Sequence, residues 1–207
     1  MVGRFSMPAI ESQPPRTGHG PPVQDPPPPG SLAAMTAPEA QLEDDGHGLA
    51  PAARGWFVVN LAQARAGGSE KLGVWTELEP PEAFEDYGIG VHVLQPGQPN
   101  GRYHEEDNQE DFLVLLGECI AIVEEQEHRL KAWDFVHCPR GTRHIFVGAG
   151  DGPCAILMVG TRRPGILYPV SEVADRHGAS VREDTTTSRE AYVGDPPHIP
   201  VRFRWPP

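Results

Sequence analysis

The 207-residue chain carries 17 basic and 29 acidic residues, a formal net charge of −12, with a pI near 5.1. Phosphate backbones and anionic bilayers attract clustered Lys and Arg, so neither nucleic acid nor a membrane is expected as a partner. The longest strongly apolar run, Cys154 to Gly160, is far shorter than the roughly 18 residues of a membrane-spanning helix.

The start, MVGRFSMPAIESQPP, has no apolar stretch before its prolines and does not read as a secretory signal. Three cysteines, Cys119, Cys138 and Cys154, are too few and odd in number for a disulfide framework, which suits a reducing cytoplasm. Arg outnumbers Lys 15 to 2, a bias expected of a GC-rich bacterial genome. Eleven of the 24 prolines precede residue 52, including Pro26 to Pro29, and few large apolar side chains interrupt them. Such a segment buries too little surface to offset its ordering entropy. Residues 1 to about 50 are therefore expected to be a disordered, Pro-rich tail, and Met35 offers an alternative translation start.

From Gly55 onward, short β-rich runs alternate with turn residues, the pattern of an all-β sandwich or barrel. The expected strands are Trp56 to Leu61, Leu72 to Leu78, Gly88 to Gln95, Asp111 to Leu116, Cys119 to Glu124, His128 to Lys131, Trp133 to His137, His144 to Val147 and Cys154 to Gly160. Gly117-Glu118 reads as a tight hairpin turn and GAGDGP at 148 to 153 as a longer one. Asp111 to Leu116 is apolar at nearly every position, so its second face must pack on another sheet, an arm or a second subunit. A homodimer is expected on that ground. Beyond Tyr168, short helices are expected from Ser171, as N-cap, to Gly178 and near Ser188 to Tyr192. Arg202 to Trp205 should be a final extended segment, packed over the barrel or a neighbour.

Chemistry concentrates in YHEEDNQEDFLVLLGE, residues 103 to 118, and HCPRGTRH, residues 137 to 144. In an extended strand His104 and Glu106 share a face, Glu110 opens the next apolar strand, and the turn at Pro139 and Gly141 delivers His144 onto another. Two imidazoles and two carboxylates at strand entrances are donors that a divalent transition metal prefers. The same residues also make an ordinary hydrogen-bonded polar cluster in a metal-free pocket.

These segments resemble the two motifs of the cupin superfamily. The first motif reads Gly, five residues, His-x-His, three or four residues, Glu, six residues, Gly; here His104-x-Glu106, three residues, Glu110, six residues and Gly117 match it with one substitution. The centre of the second, Pro-x-Gly-x-x-His, is matched by Pro139, Gly141 and His144. Four positions depart: Glu106 stands for the second histidine, Trp133 for the leading glycine of the second motif, Gly148 for its closing asparagine, and Gly97 lies one residue too far from His104.

The resemblance implies an all-β fold, the cupin double-stranded β-helix or jelly-roll-like barrel, with short C-terminal helices. The barrel would span about 55–165 and a C-terminal arm 166–207, within one domain from 51 to 207. It implies one divalent ion, with Fe, Mn and Zn the candidates, held by His104, Glu106, Glu110 and His144. Were Glu106 turned away, the other three would form a 2-His-1-carboxylate set. His92, Tyr103 and Gln109 are candidates for the surrounding pocket, each with a plain structural alternative. Cys138 beside His137 reads as a small buried hydrophobe and not a nucleophile. The function expected is a metal-binding cupin, an oxygenase acting on a small organic molecule in the first reading. A non-catalytic binder or sensor and an isomerase or lyase are the alternatives.

Overall fold

The computed structural model describes residues 37–205. In chain order the strands are β1 (Leu42–Asp44), β2 (Leu49–Pro51), β3 (Arg65–Ser69), β4 (Gly73–Thr76), β5 (Tyr87–Leu94), β6 (Glu105–Glu106), β7 (Glu110–Leu116), β8 (Glu118–Val123), β9 (Gln126–Lys131), β10 (Phe135–Cys138), β11 (His144–Ala149), β12 (Cys154–Thr161), β13 (Ile166–Leu167) and β14 (Ile199–Arg202). Two short helices, α1 (Glu172–Asp175) and α2 (Ser188–Ala191), lie between β13 and β14. A large sheet has the order β10-β7-β12-β5-β4-β3-β14, and it faces a smaller one ordered β11-β8-β9. Two backbone bridges, Pro99 to Val147 and His104 to His144, extend the smaller sheet by the segment that precedes β6.

The turn at Gly117 differs from the expected hairpin. β7 pairs with β10 and β12, whereas β8 pairs with β11 and β9, so Gly117 is a corner where the chain changes sheets. The residue has φ +71°, and a Cβ there would lie 2.4 Å from the Pro153 carbonyl oxygen, which only glycine tolerates. The glycine-rich segment after β11 makes the same crossing, from β11 to β12, and is not a hairpin either. A true two-residue hairpin joins β8 to β9 through Glu124 and Glu125, both left-handed at φ +46° and +62°. No glycine or asparagine marks it, so residue type conceals it.

Trp56 to Leu61 forms no strand. Its alternating half-buried and exposed residues find no neighbouring ladder beyond a single bridge from Trp56 to Glu39. β3, with sequence RAGGS, was missed because glycine weakens a strand signal; here Gly67 is needed since the Trp75 ring lies 2.7 Å from where its Cβ would be. Of the expected tail, residues 1–36 lie outside the described residues. Residues 37–50 are built into the fold instead: β1 pairs with β2, Ala40 is buried, and Asp44 closes the turn by accepting from the backbone N–H groups of Gly46 and Gly48. Trp133, expected to begin a strand, is a turn residue at φ +74° and 77% exposed. That conformation costs a side-chain-bearing residue about 1 kcal/mol and explains why the family motif places glycine there.

The barrel interior is apolar, filled from both sheets by Leu94, Phe112, Phe146, Ile156 and Met158 among others. The outer faces are covered too. Ile122, Ile145 and Val147 of the small sheet pack with Tyr103, Ala174 and Ala179, while Val91, Val93 and Ala155 of the large sheet pack with Phe203. The C-terminal arm thus supplies the second layer that the continuous apolar runs demand. Ser171 caps α1 by accepting from the Ala174 N–H at 3.0 Å. The final segment forms β14 against β3, as an edge strand of the large sheet.

One buried cation fastens the arm. Arg102 donates to both carboxylate oxygens of Asp195 at 2.7 and 2.6 Å, and to the carbonyls of Ala191 and Gly178 at 3.1 and 2.7 Å. Its guanidinium also lies 5.5 Å from the Tyr192 ring centroid. Arg102→Ala leaves Asp195 facing Lys71 alone; breaking such a buried pair is expected to lower unfolding free energy by about 3 kcal/mol. Denaturant titration measures it, and hydrogen exchange should locate the loss in residues 171–205.

Candidate metal centre

His104 and His144 sit opposite each other and exchange both backbone hydrogen bonds, at 3.2 and 2.9 Å. This antiparallel bridge brings together two segments forty residues apart. Their imidazoles lie with ring centroids 4.8 Å apart. Each ring is oriented the same way: Nδ1 of His104 meets the Arg102 carbonyl at 2.6 Å, and Nδ1 of His144 meets the Thr142 carbonyl at 2.9 Å. A carbonyl only accepts, so each Nδ1 carries a proton, and in the neutral ring it is Nε2 that presents the lone pair. Burial holds the His144 pKa below its ordinary value, which keeps that ring neutral.

Glu110, the first residue of β7, completes the group. Its Oε2 lies 3.3 Å from His144 Nε2. It pairs in register with Gly160 of β12, where a Cβ would crowd the Glu110 Cγ at 3.3 Å, so the glycine makes room for the carboxylate. One ligand atom from each of His104, Glu110 and His144 lies within 4.8 Å of the others, and all three residues are buried. This group could hold a metal ion. Burial, with the Glu106 charge adding to it, pushes the Glu110 pKa up to about 8.

Glu106 shares the His104 face as its spacing predicts, with Oε1 3.8 Å from His104 Nε2. It stands beside the three-residue group and not within it. Its Oε2 accepts from Asn108 Nδ2 at 2.7 Å, while Oε1 is buried and has no hydrogen-bond partner. Asn108 was missed by sequence reasoning. It is buried, and it also bonds the backbone of Arg163, accepting from N–H at 2.6 Å and donating to C=O at 3.2 Å. A polar residue in an acidic loop carries no mark that distinguishes it from a solvated one.

The remaining candidates separate. His92 of β5 lies in register with Ile156 and Trp75, on the inner face of the large sheet, where full burial drives its pKa down to about 3. Tyr103 turns away from the centre: it is fully buried in the cluster beneath α1, and its hydroxyl accepts from the Glu125 N–H at 3.1 Å. The alternation along the strand explains this, since its neighbour His104 takes the inner face. Gln109 is exposed and donates to Asp111, on the face opposite Glu110. Cys138 is buried, with its thiol pKa raised to about 12 chiefly by desolvation, as a structural cysteine requires. The ring of Tyr168, 5.9 Å from that of His104, and Phe112, 5.1 Å from His144, wall the site with aromatic surface.

A search of curated proteins found no match to the chain. Solved structures are similar at low identity. A sugar phosphate isomerase from Silicibacter pomeroyi is 24% identical with a TM-score of 0.41, over 52% of this chain and 65% of that one. A polyketide cyclase from Streptomyces resistomycificus is 18% identical with a TM-score of 0.46, over 54% of this chain and 83% of that one. A protein described as a predicted oxalate decarboxylase, from Thermotoga maritima, is 22% identical with a TM-score of 0.46, over 52% of this chain and all of that one. This chain spans just under two-thirds of the length of the sugar phosphate isomerase. Residues 90–160 match the Cupin domain family. Both histidines, Glu106 and Glu110 lie inside that segment, so the candidate centre falls in the part of the chain that is similar to the Cupin domain family.

Proposed function

We propose that the protein is a metal-dependent cupin that binds one divalent transition metal and acts as an oxygenase on a small organic molecule. The observation that carries the reading is the convergence of two imidazole Nε2 atoms and the Glu110 carboxylate, all buried, within 4.8 Å. The donor chemistry fits such an ion. Both rings have Nδ1 engaged and Nε2 directed inward, and the buried Glu106 Oε1 lacks a partner that a cation would supply. His104, Glu110 and His144 would hold it, with Glu106 as fourth donor. This mixed N/O set suits Fe(II), Mn(II) or Zn(II). When bound, the ion would supply Lewis acidity or oxygen activation at its remaining positions. The chain's own part is to hold the donors in place and to exclude bulk water with Phe112 and Tyr168.

A cytoplasmic homodimer belongs to the same proposal. Three buried free thiols suit a reducing compartment. On the edge strand β10, Phe135 is 61% exposed and pairs with half-buried Leu113 on the outer face, an apolar edge suited to a second copy. Phe135→Asp should shift a dimer to monomer in sedimentation; a wild-type protein that sediments as a monomer refutes this part.

Protein purified without added ions should contain stoichiometric metal by elemental analysis, and His144→Ala and Glu110→Ala should each retain under a tenth of it. Oxygen uptake with a panel of small substrates then distinguishes an oxygenase from a sensor, which would bind a ligand tightly without turnover. In metal-free protein the folded Glu110 keeps its proton up to about pH 8, whereas the unfolded chain releases it near 4.5. The unfolded state therefore binds fewer protons in this interval, and metal-free stability should fall as pH rises through it. Calorimetry should show that fall in the wild type and a flatter profile in Glu110→Gln.

A further inference from the structure

On the inner face of the large sheet, Glu110, Gly160 and Gly88 occupy one row across β7, β12 and β5. Cross-strand partners point to the same face. The Glu110 carboxylate leans over Gly160, with Oε1 3.5 Å from the position a Cβ would take there. Over Gly88 lie the ends of two other side chains, Glu79 Oε1 at 3.3 Å and Arg162 Nη2 at 3.4 Å from its Cβ position. Glu79 and Arg162 form an ion pair at the barrel rim. Neighbouring Cβ positions in such a row are about 5 Å apart, so this pair stands within about 12 Å of the Glu110 carboxylate, across a floor without side chains.

The pair is not self-sufficient. Glu79 Oε2 and Arg162 Nε are both buried and without a hydrogen-bond partner, a state that costs each polar group about 1–3 kcal/mol. One is an acceptor and the other a donor. A hydroxyl group donates and accepts at once and can satisfy both. A carboxylate only accepts and would bring a second negative charge beside Glu79. An ammonium only donates and would meet Arg162.

We infer that Gly88, Gly160, Glu79 and Arg162 form a ligand subsite beside the metal centre, and that it takes a small polyhydroxylated molecule reaching from the centre to the rim. This rests on the metal-centre reading above and names the substrate class for it. Glu79 accepts from a ligand hydroxyl, Arg162 Nε donates to one, and the two glycines make room for the Glu110, Glu79 and Arg162 side-chain ends that would face the ligand.

The test uses full-length protein loaded with Mn(II), its metal content measured first. D-fructose, D-xylose and D-glucitol are then titrated calorimetrically, beside glutarate and adipate. At least one polyol should bind, and neither dicarboxylate should bind more tightly. Gly88→Ala adds a methyl group against flexible side-chain ends, and Glu79→Gln removes the charge. Each should weaken the polyol at least tenfold while the variant still unfolds cooperatively and Mn(II) stoichiometry stays at the wild-type value. Preference for a dicarboxylate, polyol affinity unchanged in the two variants, or no polyol binding to the loaded protein would overturn the subsite. Failure to retain Mn(II) refutes the metal centre by itself. The same titration on metal-free protein then decides the subsite: polyol binding lost in Glu79→Gln supports it, and no binding overturns it.

Discussion

Two imidazoles and two carboxylates are buried together inside a β-barrel, and the cost of keeping charge there organises what surrounds them. Desolvation disfavours the ionised forms of Glu110 and His144, and the Glu106 charge adds to the effect on Glu110. The response is visible in the Glu110 pKa, pushed up to about 8, and in His144, held neutral. It is visible also in the hydrogen bonds. Carbonyls of Arg102 and Thr142 fix both rings, and Asn108 binds one oxygen of Glu106. A bound cation would offset the same cost, since it compensates both carboxylates and uses both free imidazole lone pairs.

Support for that interior comes from the second layer. β8 is hydrophobic on both faces because one lies in the barrel and the other beneath the arm, whereas the outer face of β7 is half-buried, with Leu115 and Leu116 packed against the outer cluster and Leu113 beside exposed Phe135. The arm in turn depends on Arg102, whose guanidinium is shared among Asp195, two carbonyls and the Tyr192 ring. Arg102 is also the residue whose carbonyl orients His104. Packing of the C-terminal segment and geometry of the candidate metal centre therefore meet at one residue, with the backbone serving the site and the side chain serving the arm.

The departures of this chain from the family motif have different consequences. Trp133 keeps the left-handed backbone of a glycine position and accepts its strain, so the turn survives the substitution. Glu106 retains an oxygen donor facing His104 where the family has an imidazole, and its second oxygen is committed to Asn108. The first change leaves the fold intact; the second alters the charge and shape of the centre.

The spacing of His104, Glu106, Glu110 and Gly117, with the Pro139-Gly141-His144 turn, was enough to expect the barrel, and three of the four expected donors, His104, Glu110 and His144, come together in it, because residues two apart in a strand share a face and a motif is local. Most strands were legible for the same reason: alternation and β-branched runs are properties of short segments. What the tertiary structure decided were the relations between segments. Gly117 looks like a hairpin turn until the partners of β7 and β8 are known, and β3 is invisible until Trp75 packs on Gly67. Tyr103 and Gln109 were assigned to a pocket that strand alternation carries them away from. Asn108, Glu79 and Arg162 carry no local signal at all, since an acidic loop and a rim arginine acquire meaning only from the groups that long-range strand pairing sets against them.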